Sequence, residues 1–202
     1  MRFLYDKSAM QTDDLQRLLA PFLPTTLAAQ QLAQLQTYLE LLVKWNAKTN
    51  LTSVRDPQEM VTRHFGESLF AASRLQAPRS IIDFGSGAGF PGVPMAVYWP
   101  QANVTLVESQ NKKATFLKEV ARSLSLTNVT VFSGRAEDLK QQAELVTMRA
   151  VDKFDAALLV ARSLVSDGGK LALLIGTADA TRIGASIVAA IPQSKERVLA
   201  LL

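Results

Sequence analysis

The sequence lacks cysteine altogether and has a single histidine, His64, among its 202 residues. Without cysteine, disulfide scaffolds, thiolate metal sites and cysteine nucleophiles are excluded, and one histidine cannot form a histidine-rich metal centre. No run of about 18 apolar residues is present, as a membrane-spanning helix would require. Residues 1–23 are interrupted by charged side chains such as Asp6, Lys7 and Arg17, so they lack the apolar core of a signal peptide. We therefore predict a metal-free cytoplasmic protein with no membrane partner.

The chain also lacks a large excess of charge of either sign. The net charge is +4, and no block of five or six like charges occurs. Hydrophobic residues make up 48% and charged residues 20% of the chain, which is typical of globular proteins and unlike disordered or coiled-coil chains. The length allows one domain with an extension, or two small domains. A net charge of +4 permits a nucleic-acid partner but does not identify one.

The first 75 residues have helical periodicity. Apolar side chains recur every three or four residues from Leu27 to Trp45, which predicts a long amphipathic helix. A shorter helix is predicted over Asp13–Phe22. A third helix should begin at Asp56-Pro57, because aspartate is a favoured N-cap and proline is favoured at the first helical position. We therefore predict an N-terminal helical cap over residues 1–75, in which Tyr38 and Trp45 suit the core better than a base-stacking role.

From residue 80 onward, short apolar runs alternate with helical stretches. The predicted strands are Ser80–Phe84, Val104–Val107, Asn128–Phe132, Leu145–Met148 and Lys170–Ile175. The predicted helices are Pro91–Tyr98, Lys112–Leu126 and Lys153–Val165. This alternation is typical of βαβ units. Residues 76–202 are therefore predicted to form a Rossmann-like, doubly wound α/β domain with a mostly parallel sheet, packed as one unit with the cap. In the tail we predict a helix over Ile183–Ile191 and a last strand over Arg197–Leu202.

A glycine-rich loop follows the first predicted strand and enters a helix. It reads Asp83-Phe84-Gly85-Ser86-Gly87-Ala88-Gly89-Phe90-Pro91-Gly92. Glycines tolerate positive φ and let the backbone approach a ligand closely. In doubly wound folds such a loop lies where nucleotide ligands bind. Glu108 ends the next strand, where a carboxylate can accept hydrogen bonds from a ribose diol. These features together predict a nucleotide-type cofactor rather than a connection without a ligand.

Two cofactors fit such a loop. Gly87, Gly89 and Gly92 satisfy the G-x-G-x-x-G pattern of NAD-binding proteins, although this match alone is weak. A dinucleotide would place its pyrophosphate on the loop, where Asp83 adds unfavourable negative potential unless it points away. S-adenosylmethionine has no phosphate, and its sulfonium and ammonium groups suit a nearby acid. We therefore favour S-adenosylmethionine, with an NAD-dependent oxidoreductase as the alternative.

Six groups of residues, taken together, resemble the RsmG (GidB) family. They are Leu51–Pro57, Arg63-His64-Phe65 with Ser68-Leu69, Asp83–Gly92, Glu108-Ser109 with Lys112-Lys113 and Phe116-Leu117, Gly134–Glu137, and Arg149–Val151. The resemblance implies a class I S-adenosylmethionine-dependent methyltransferase of ribosomal RNA processing, acting on N7 of one guanine in small-subunit (16S) RNA. Alternatives within the same fold are a methyltransferase with a small-molecule or protein acceptor, and a non-catalytic RNA-binding module.

The resemblance also implies which residues bind the cofactor. It places cofactor contacts on Gly85, Phe90, Ala136, Glu137 and Arg149, and the loop itself suggests Asp83, Ser86, Gly87, Gly89, Glu108 and Ser109. Guanine N7 has a free lone pair and no proton to lose, so we predict no catalytic acid or base and expect alignment and desolvation to suffice. Arg149 and His64 are candidate positioning residues. Their structural alternatives are a salt-bridged surface arginine and a partly buried core histidine.

RNA contacts are expected from basic side chains. The candidates are Arg55, Arg63, Lys112, Lys113 and Arg135. Lys112 and Lys113 begin a helix beside the predicted binding edge, although two adjacent lysines also suit an ordinary solvated face. A monomer is expected. The sequence leaves open whether the substrate is naked RNA or an assembling ribosomal particle, and what the segment after Gly176 does.

Overall fold

The N-terminal part of the chain is helical, as predicted. The computed structural model describes residues 10–151 and 153–202, so the first nine residues of the predicted cap and Asp152 lie outside it. The helices of this part are α1 (Thr12–Leu19) with a 3₁₀ turn (Ala20–Phe22), α2 (Ala29–Thr49), α3 (Pro57–Met60), a π-helix (Val61–Gly66) and α4 (Glu67–Arg74). The Asp56 side chain accepts a hydrogen bond from the Glu59 N–H at 2.8 Å, which confirms the predicted N-cap.

Seven strands form a single mixed sheet in the order β3-β2-β1-β4-β5-β7-β6. The strands are β1 (Ser80–Phe84), β2 (Asn103–Glu108), β3 (Val129–Ser133), β4 (Ala143–Arg149), β5 (Val165–Gly176), β6 (Ser186–Ala190) and β7 (Arg197–Leu201). β1 to β5 are parallel, and β7 runs antiparallel between β5 and β6. The five strands predicted before the tail are present. The order reverses between β1 and β4, which confirms the doubly wound sheet.

Helices cover both faces of this sheet. They are α5 (Gly92–Tyr98), α6 (Asn111–Ser123), a 3₁₀ turn (Ala136–Asp138), α7 (Phe154–Ser163) and α8 (Thr177–Arg182). Neighbouring strand residues point to opposite faces. Ile81 accordingly packs with the cap helices, α5 and α6, whereas Ile82 packs with α7. Buried residues of the cap, of α5 and α6 and of one sheet face form one apolar cluster, in which the cap packs against α5 and α6. Among the described helices, none is long and apolar enough to cross a membrane.

The tail differs from its prediction. The helix expected over Ile183–Ile191 is wrong, because residues Ser186–Ala190 form the edge strand β6. Gly184 adopts φ +66° after α8 and breaks the helical backbone, and β-branched Ile187 and Val188 favour a strand. The final predicted strand is confirmed as β7, which pairs with β6 on one side and with β5 on the other.

Candidate cofactor site and its surroundings

The glycine loop connects β1 to α5 at the carboxyl edge of the sheet. Gly85, Gly87 and Gly89 have φ values of +66°, +58° and +100°, which residues with side chains rarely adopt. A Cβ on Gly89 would lie 2.5 Å from the Tyr38 hydroxyl, so this glycine faces the interior. A Cβ on Gly87 would meet only the Gly85 carbonyl oxygen, at 3.8 Å. The backbone at Gly87 is therefore open to close approach by a ligand.

Asp83 lies beneath this loop and is fully buried. Its Oδ1 accepts a hydrogen bond from the Thr147 hydroxyl at 2.8 Å, and its Oδ2 accepts one from the Gly92 N–H at 3.1 Å. Desolvation raises the pKa of Asp83 to about 6, against the opposing effect of these hydrogen bonds and one from Ser86. The carboxylate joins β1, β4 and α5 and does not face the open side of the loop. The position of Asp83 therefore does not support the predicted contact with a cationic cofactor. For the same reason, Asp83 gives no argument against a dinucleotide with its pyrophosphate on the loop.

Glu108 lies beside the loop, as predicted for the acid of the second strand. It is 6% exposed. Its Oε2 accepts from the Gly87 N–H at 3.0 Å, and its Oε1 accepts from the Gln110 N–H at 2.7 Å. A carboxylate oxygen can accept more than one hydrogen bond, so both oxygens keep capacity for a diol. The next residue, Ser109, is exposed at the same edge.

The remaining candidate cofactor residues follow the third and fourth strands. Ala136 is buried and Glu137 exposed in the 3₁₀ turn after β3, and Arg149 is the last residue of β4. The strands β3, β2, β1 and β4 are neighbours in the parallel part of the sheet. Since parallel strands end at one edge, the structure brings these residues to the same edge as the glycine loop, where doubly wound folds bind ligands.

A layer of aromatic rings attaches the loop to the cap. The Tyr38 hydroxyl donates to the Ala88 carbonyl oxygen at 2.5 Å, and its ring centroid lies 5.3 Å from that of Phe90. The other side of Phe90 stacks on His64, with 4.9 Å between centroids. Tyr38 is fully buried, which confirms its predicted core role, and burial raises its pKa well above the ordinary value, so the hydroxyl stays protonated. Phe90 is only 8% exposed and thus supports the loop from inside.

His64 is held by hydrogen bonds at both ring nitrogens. Its Nδ1 lies 3.1 Å from Arg149 Nη2, and its Nε2 lies 2.8 Å from Thr52 Oγ1. Because a guanidinium only donates, Nδ1 must accept and the Nε2–H must donate to Thr52. Burial and then Arg149 lower the pKa of His64 to about 3, so the ring is neutral at physiological pH. This confirms a satisfied, partly buried histidine that packs against the loop through Phe90.

Arg149 belongs to a buried ionic cluster that the sequence did not reveal. Its Nη2 donates to the Arg63 carbonyl oxygen at 2.8 Å and lies 3.3 Å from Glu67 Oε2. Glu67 Oε1 accepts from Arg197 Nε at 3.1 Å and from Arg197 Nη2. The alternative for Arg149 was a surface arginine in a salt bridge. The salt bridge is present, but the surface location is wrong, since only 9% of the Arg149 side chain is exposed. The one local sign of this cluster in the sequence was Glu67, an acid that is followed by apolar or small residues.

The five basic candidates lie in different surroundings. Arg55 donates to the Asn46 carbonyl oxygen at 2.9 Å and to Asn50 Oδ1 at 2.6 Å, and so braces the end of α2. Arg63 is exposed and lies 3.4 Å from Glu59. The other three flank the strand ends near Glu108: Lys112 and Lys113 in the first turn of α6, and Arg135 before the 3₁₀ turn. In the described part of the chain, no group of three acidic or histidine side chains is placed to hold a metal ion.

The fold is similar to that of solved structures that are named as methyltransferases or that contain AdoMet. A ribosomal protein L11 methylase from Lactobacillus delbrueckii subsp. bulgaricus has a TM-score of 0.57 at 12% identity, over 69% of this chain and 78% of that one. A SAM-dependent methyltransferase from Aquifex aeolicus has a TM-score of 0.56 at 14% identity, over 76% and 97%. M. jannaschii TYW2 in complex with AdoMet has a TM-score of 0.53 at 17% identity, over 68% and 73%. The fold is thus that of class I S-adenosylmethionine-dependent methyltransferases.

Sequence comparison narrows the class to one family. The family model GidB, described as rRNA small subunit methyltransferase G, matches residues 31–198. Ribosomal RNA small subunit methyltransferase G of Xanthomonas euvesicatoria pv. vesicatoria (strain 85-10) is 46% identical over 146 residues, which is 71% of this chain and 68% of that protein. The same enzyme of Xylella fastidiosa (strain M23) is 45% identical over 144 residues, 70% and 68%. The chain belongs to this family, as its motifs predicted, and family membership rather than Asp83 sets the NAD-dependent oxidoreductase aside.

Proposed function

We propose that this protein transfers a methyl group from S-adenosylmethionine to N7 of a guanine in small-subunit (16S) ribosomal RNA. The observation that carries the proposal is the family match over residues 31–198, which includes the glycine loop and the acid beside it. The cofactor, when bound, supplies an electrophilic methyl group on a sulfonium.

The residues at the carboxyl edge fit such a cofactor. The backbone at Gly87 has room for close approach, and the adjacent Glu108 carboxylate can accept from the ribose hydroxyls. The turn at Ala136 and Glu137 lies one strand further along, at a place suited to the adenine edge. Gly85, Ser86, Gly89, Phe90 and Ser109 shape the loop and its rim, while Asp83 holds the loop from below.

The chain needs no proton acceptor at the target. Guanine N7 attacks with a lone pair and loses no proton, so alignment and exclusion of water are the tasks left to the protein. His64 fits this requirement because it is neutral and both its nitrogens are engaged. We assign His64 and Arg149 a positioning role: they fix the face of the cap that adjoins the loop.

The finer features of the substrate follow from the same proposal. We infer that RNA, free or within an assembling ribosomal particle, contacts exposed Lys112 and Arg135 and half-buried Lys113 beside the strand ends. The protein acts as a monomer in the cytoplasm, where ribosomal RNA is found. Residues 1–75 and 76–202 act as one unit, because cap and sheet share an apolar cluster.

Methylation of defined RNA tests the proposal. Tritiated S-adenosylmethionine is incubated with the protein and with small-subunit RNA from cells that lack this modification, as naked RNA and as particles. We expect label at one guanine, mapped by chemical cleavage specific for N7-methylated guanine. Glu108→Ala should abolish labelling, whereas Glu40→Gln, an exposed change on α2, should not. No label on RNA, with label on a protein or small molecule, would contradict the proposal and favour the alternative acceptor.

A further inference from the structure

A polar groove of about 520 Å³ lies next to the proposed methyl-transfer edge. It runs between the π-helix, the end of β5 at Gly176 and the loop over residues 192–197. Thr62 and Arg63 line one wall, and Ser194, Lys195 and Arg197 line the other. The volume is within the range of pockets that bind small ligands or single nucleotides. None of the residues assigned above to the cofactor lines it.

The floor of the groove contains an incompletely paired buried acid. Glu67 is 2% exposed, and its Oε1 is occupied by Arg197. Its Oε2 lies 3.3 Å from Arg149 Nη2 but makes no hydrogen bond in the described part of the chain, and neither does buried Arg149 Nη1. Buried polar atoms in native proteins nearly always have partners. These two atoms are buried beneath the groove, so a ligand in the groove would meet the Arg197 side chain, which is 30% exposed and pairs with Glu67.

The groove shares a wall with the proposed active site. Arg63 lines the groove, and its carbonyl oxygen accepts from Arg149, which also contacts the His64 ring. His64 stacks on Phe90 of the glycine loop. A strand of RNA with its target base over the loop would thus pass its adjacent nucleotide along this wall.

The lining favours RNA over a free anion or a protein partner. Lys195 is exposed, and the exposed pairing of Arg63 with Glu59 contributes little and can be exchanged for a phosphate. The acids Glu59, Glu67 and Glu196 also line the groove, so its charge is mixed, which does not suit a bare anion. A nucleotide offers phosphate acceptors together with base and 2′-hydroxyl donors. A protein partner would be expected to need an exposed apolar anchor, whereas the apolar side chains of this lining are buried Phe22 and half-buried Pro192.

We propose that this groove binds the single-stranded RNA nucleotide adjacent to the target guanine, with Arg63, Lys195 and Arg197 facing its phosphates. This inference rests on the proposed function, because it assigns part of the same RNA substrate. It differs from the contacts inferred for Lys112, Lys113 and Arg135, which lie along the β2 and β3 side of the edge.

Two groove variants test the proposal without touching the cofactor residues. Lys195→Ala removes a cation, and Thr62→Glu adds a negative charge at an incompletely exposed side chain. Lys170→Ala is the matched control, since Lys170 is an exposed lysine in the middle of β5 and does not line the groove. Steady-state methylation gives kcat and KM for RNA, and calorimetry gives the affinity for S-adenosylhomocysteine. Thermal unfolding checks that each variant is folded.

We expect Lys195→Ala to raise KM for RNA about five- to tenfold and to lower the salt dependence of RNA binding by about 0.7 in log–log slope, the effect of one lost contact to single-stranded phosphate. Thr62→Glu should weaken RNA binding at least as much. Cofactor affinity should stay unchanged in both, and Lys170→Ala should behave as the wild type.

The failures of the two proposals are distinguishable. Unchanged KM and salt slope in both groove variants, with an active wild type, would overturn the groove assignment and leave the proposed function intact. If the wild type does not methylate RNA, direct RNA binding by fluorescence anisotropy still tests the groove, and equal affinities for variants and wild type would refute it. A defect seen with ribosomal particles but not with naked RNA would also overturn it, and would identify a protein contact instead.

Discussion

Replacing Asp83 with asparagine tests the most unusual electrostatic feature of the structure. The carboxylate is fully buried, and its two oxygens accept from the Thr147 hydroxyl and the Gly92 N–H. Asparagine has almost the same shape. Its Oδ1 can accept from Gly92, and its amide can donate to the Thr147 oxygen, because a hydroxyl both donates and accepts. The variant Asp83→Asn should therefore fold while removing the ionisable group.

The expected change in the free energy of unfolding follows from the pKa of Asp83, which burial raises from 3.8 to about 6. Each unit of pKa shift corresponds to about 1.4 kcal/mol, so the shift is worth about 3 kcal/mol in all. Because the folded-state pKa is the higher one, the contribution is fully present below pH 3.8 and is lost as pH rises through 6. About 2 kcal/mol of it should disappear between about pH 4.5 and 7.5.

The assay is urea unfolding of wild type and variant across this pH range. Other titrating groups are common to both proteins, so the difference in unfolding free energy isolates Asp83. Wild-type stability relative to Asp83→Asn should fall by about 2 kcal/mol from about pH 4.5 to 7.5. Asp138→Asn, a change at an exposed aspartate, controls for the loss of one negative charge. A difference that stays constant, or one that rises with pH, would refute the assignment of a desolvated carboxylate.

Three further outcomes are expected. Gly89→Ala should lose roughly 2–4 kcal/mol of stability, because left-handed backbone strain adds to a clash, whereas Gly168→Ala, at φ +72° with no neighbour within 4 Å, should lose only the roughly 1–2 kcal/mol of backbone strain. Arg149→Met should cost about 2–3 kcal/mol in urea unfolding, because buried Glu67 would keep only Arg197 of its two described cationic neighbours, and Glu67→Gln made in addition should recover part of it. The pH–rate profile for RNA methylation should show no inflection due to His64 near pH 6.5, because burial and Arg149 lower the pKa of His64 to about 3; an inflection there that His64→Gln removes would contradict this.

The parallel part of the fold was predictable because its signals are local. β1 to β5 are short apolar runs between helices with an apolar face, and their alternation determines a doubly wound sheet. In the tail the last strand was predicted, but the segment before it carried no comparable signal. The run from Ile183 to Ile191 is short and rich in small residues, and such runs fit a helix or a strand equally well. Residues Ser186–Ala190 of this run form a strand because they pair with β7, which in turn pairs with β5.

The edge of the sheet that carries the proposed site was predictable from the topology. The contacts that hold its residues in place were not predictable. Residues that follow parallel strands must meet at one edge, so Gly85, Glu108 and Arg149 could be placed together from strand ends alone. The groups that hold them are distant in sequence. Arg197 contacts Glu67 across 130 positions, and Thr147 contacts Asp83 across 64. No local pattern encodes such contacts, since they depend on how the helices and strands pack.

The glycine loop shows why a motif identifies a fold sooner than it identifies a ligand. Gly89 is required because a Cβ would collide with the Tyr38 hydroxyl, and Gly92 because a Cβ would lie 2.6 Å from Asp83 Oδ2. Both requirements come from packing within the protein and hold whichever cofactor binds. By contrast, we propose that the open backbone at Gly87 and the Glu108 carboxylate beside it face the ligand, and a ribose diol occurs in both candidate cofactors. The choice between them therefore depends on motifs spread over most of the chain, and no single acid in the loop could have made it.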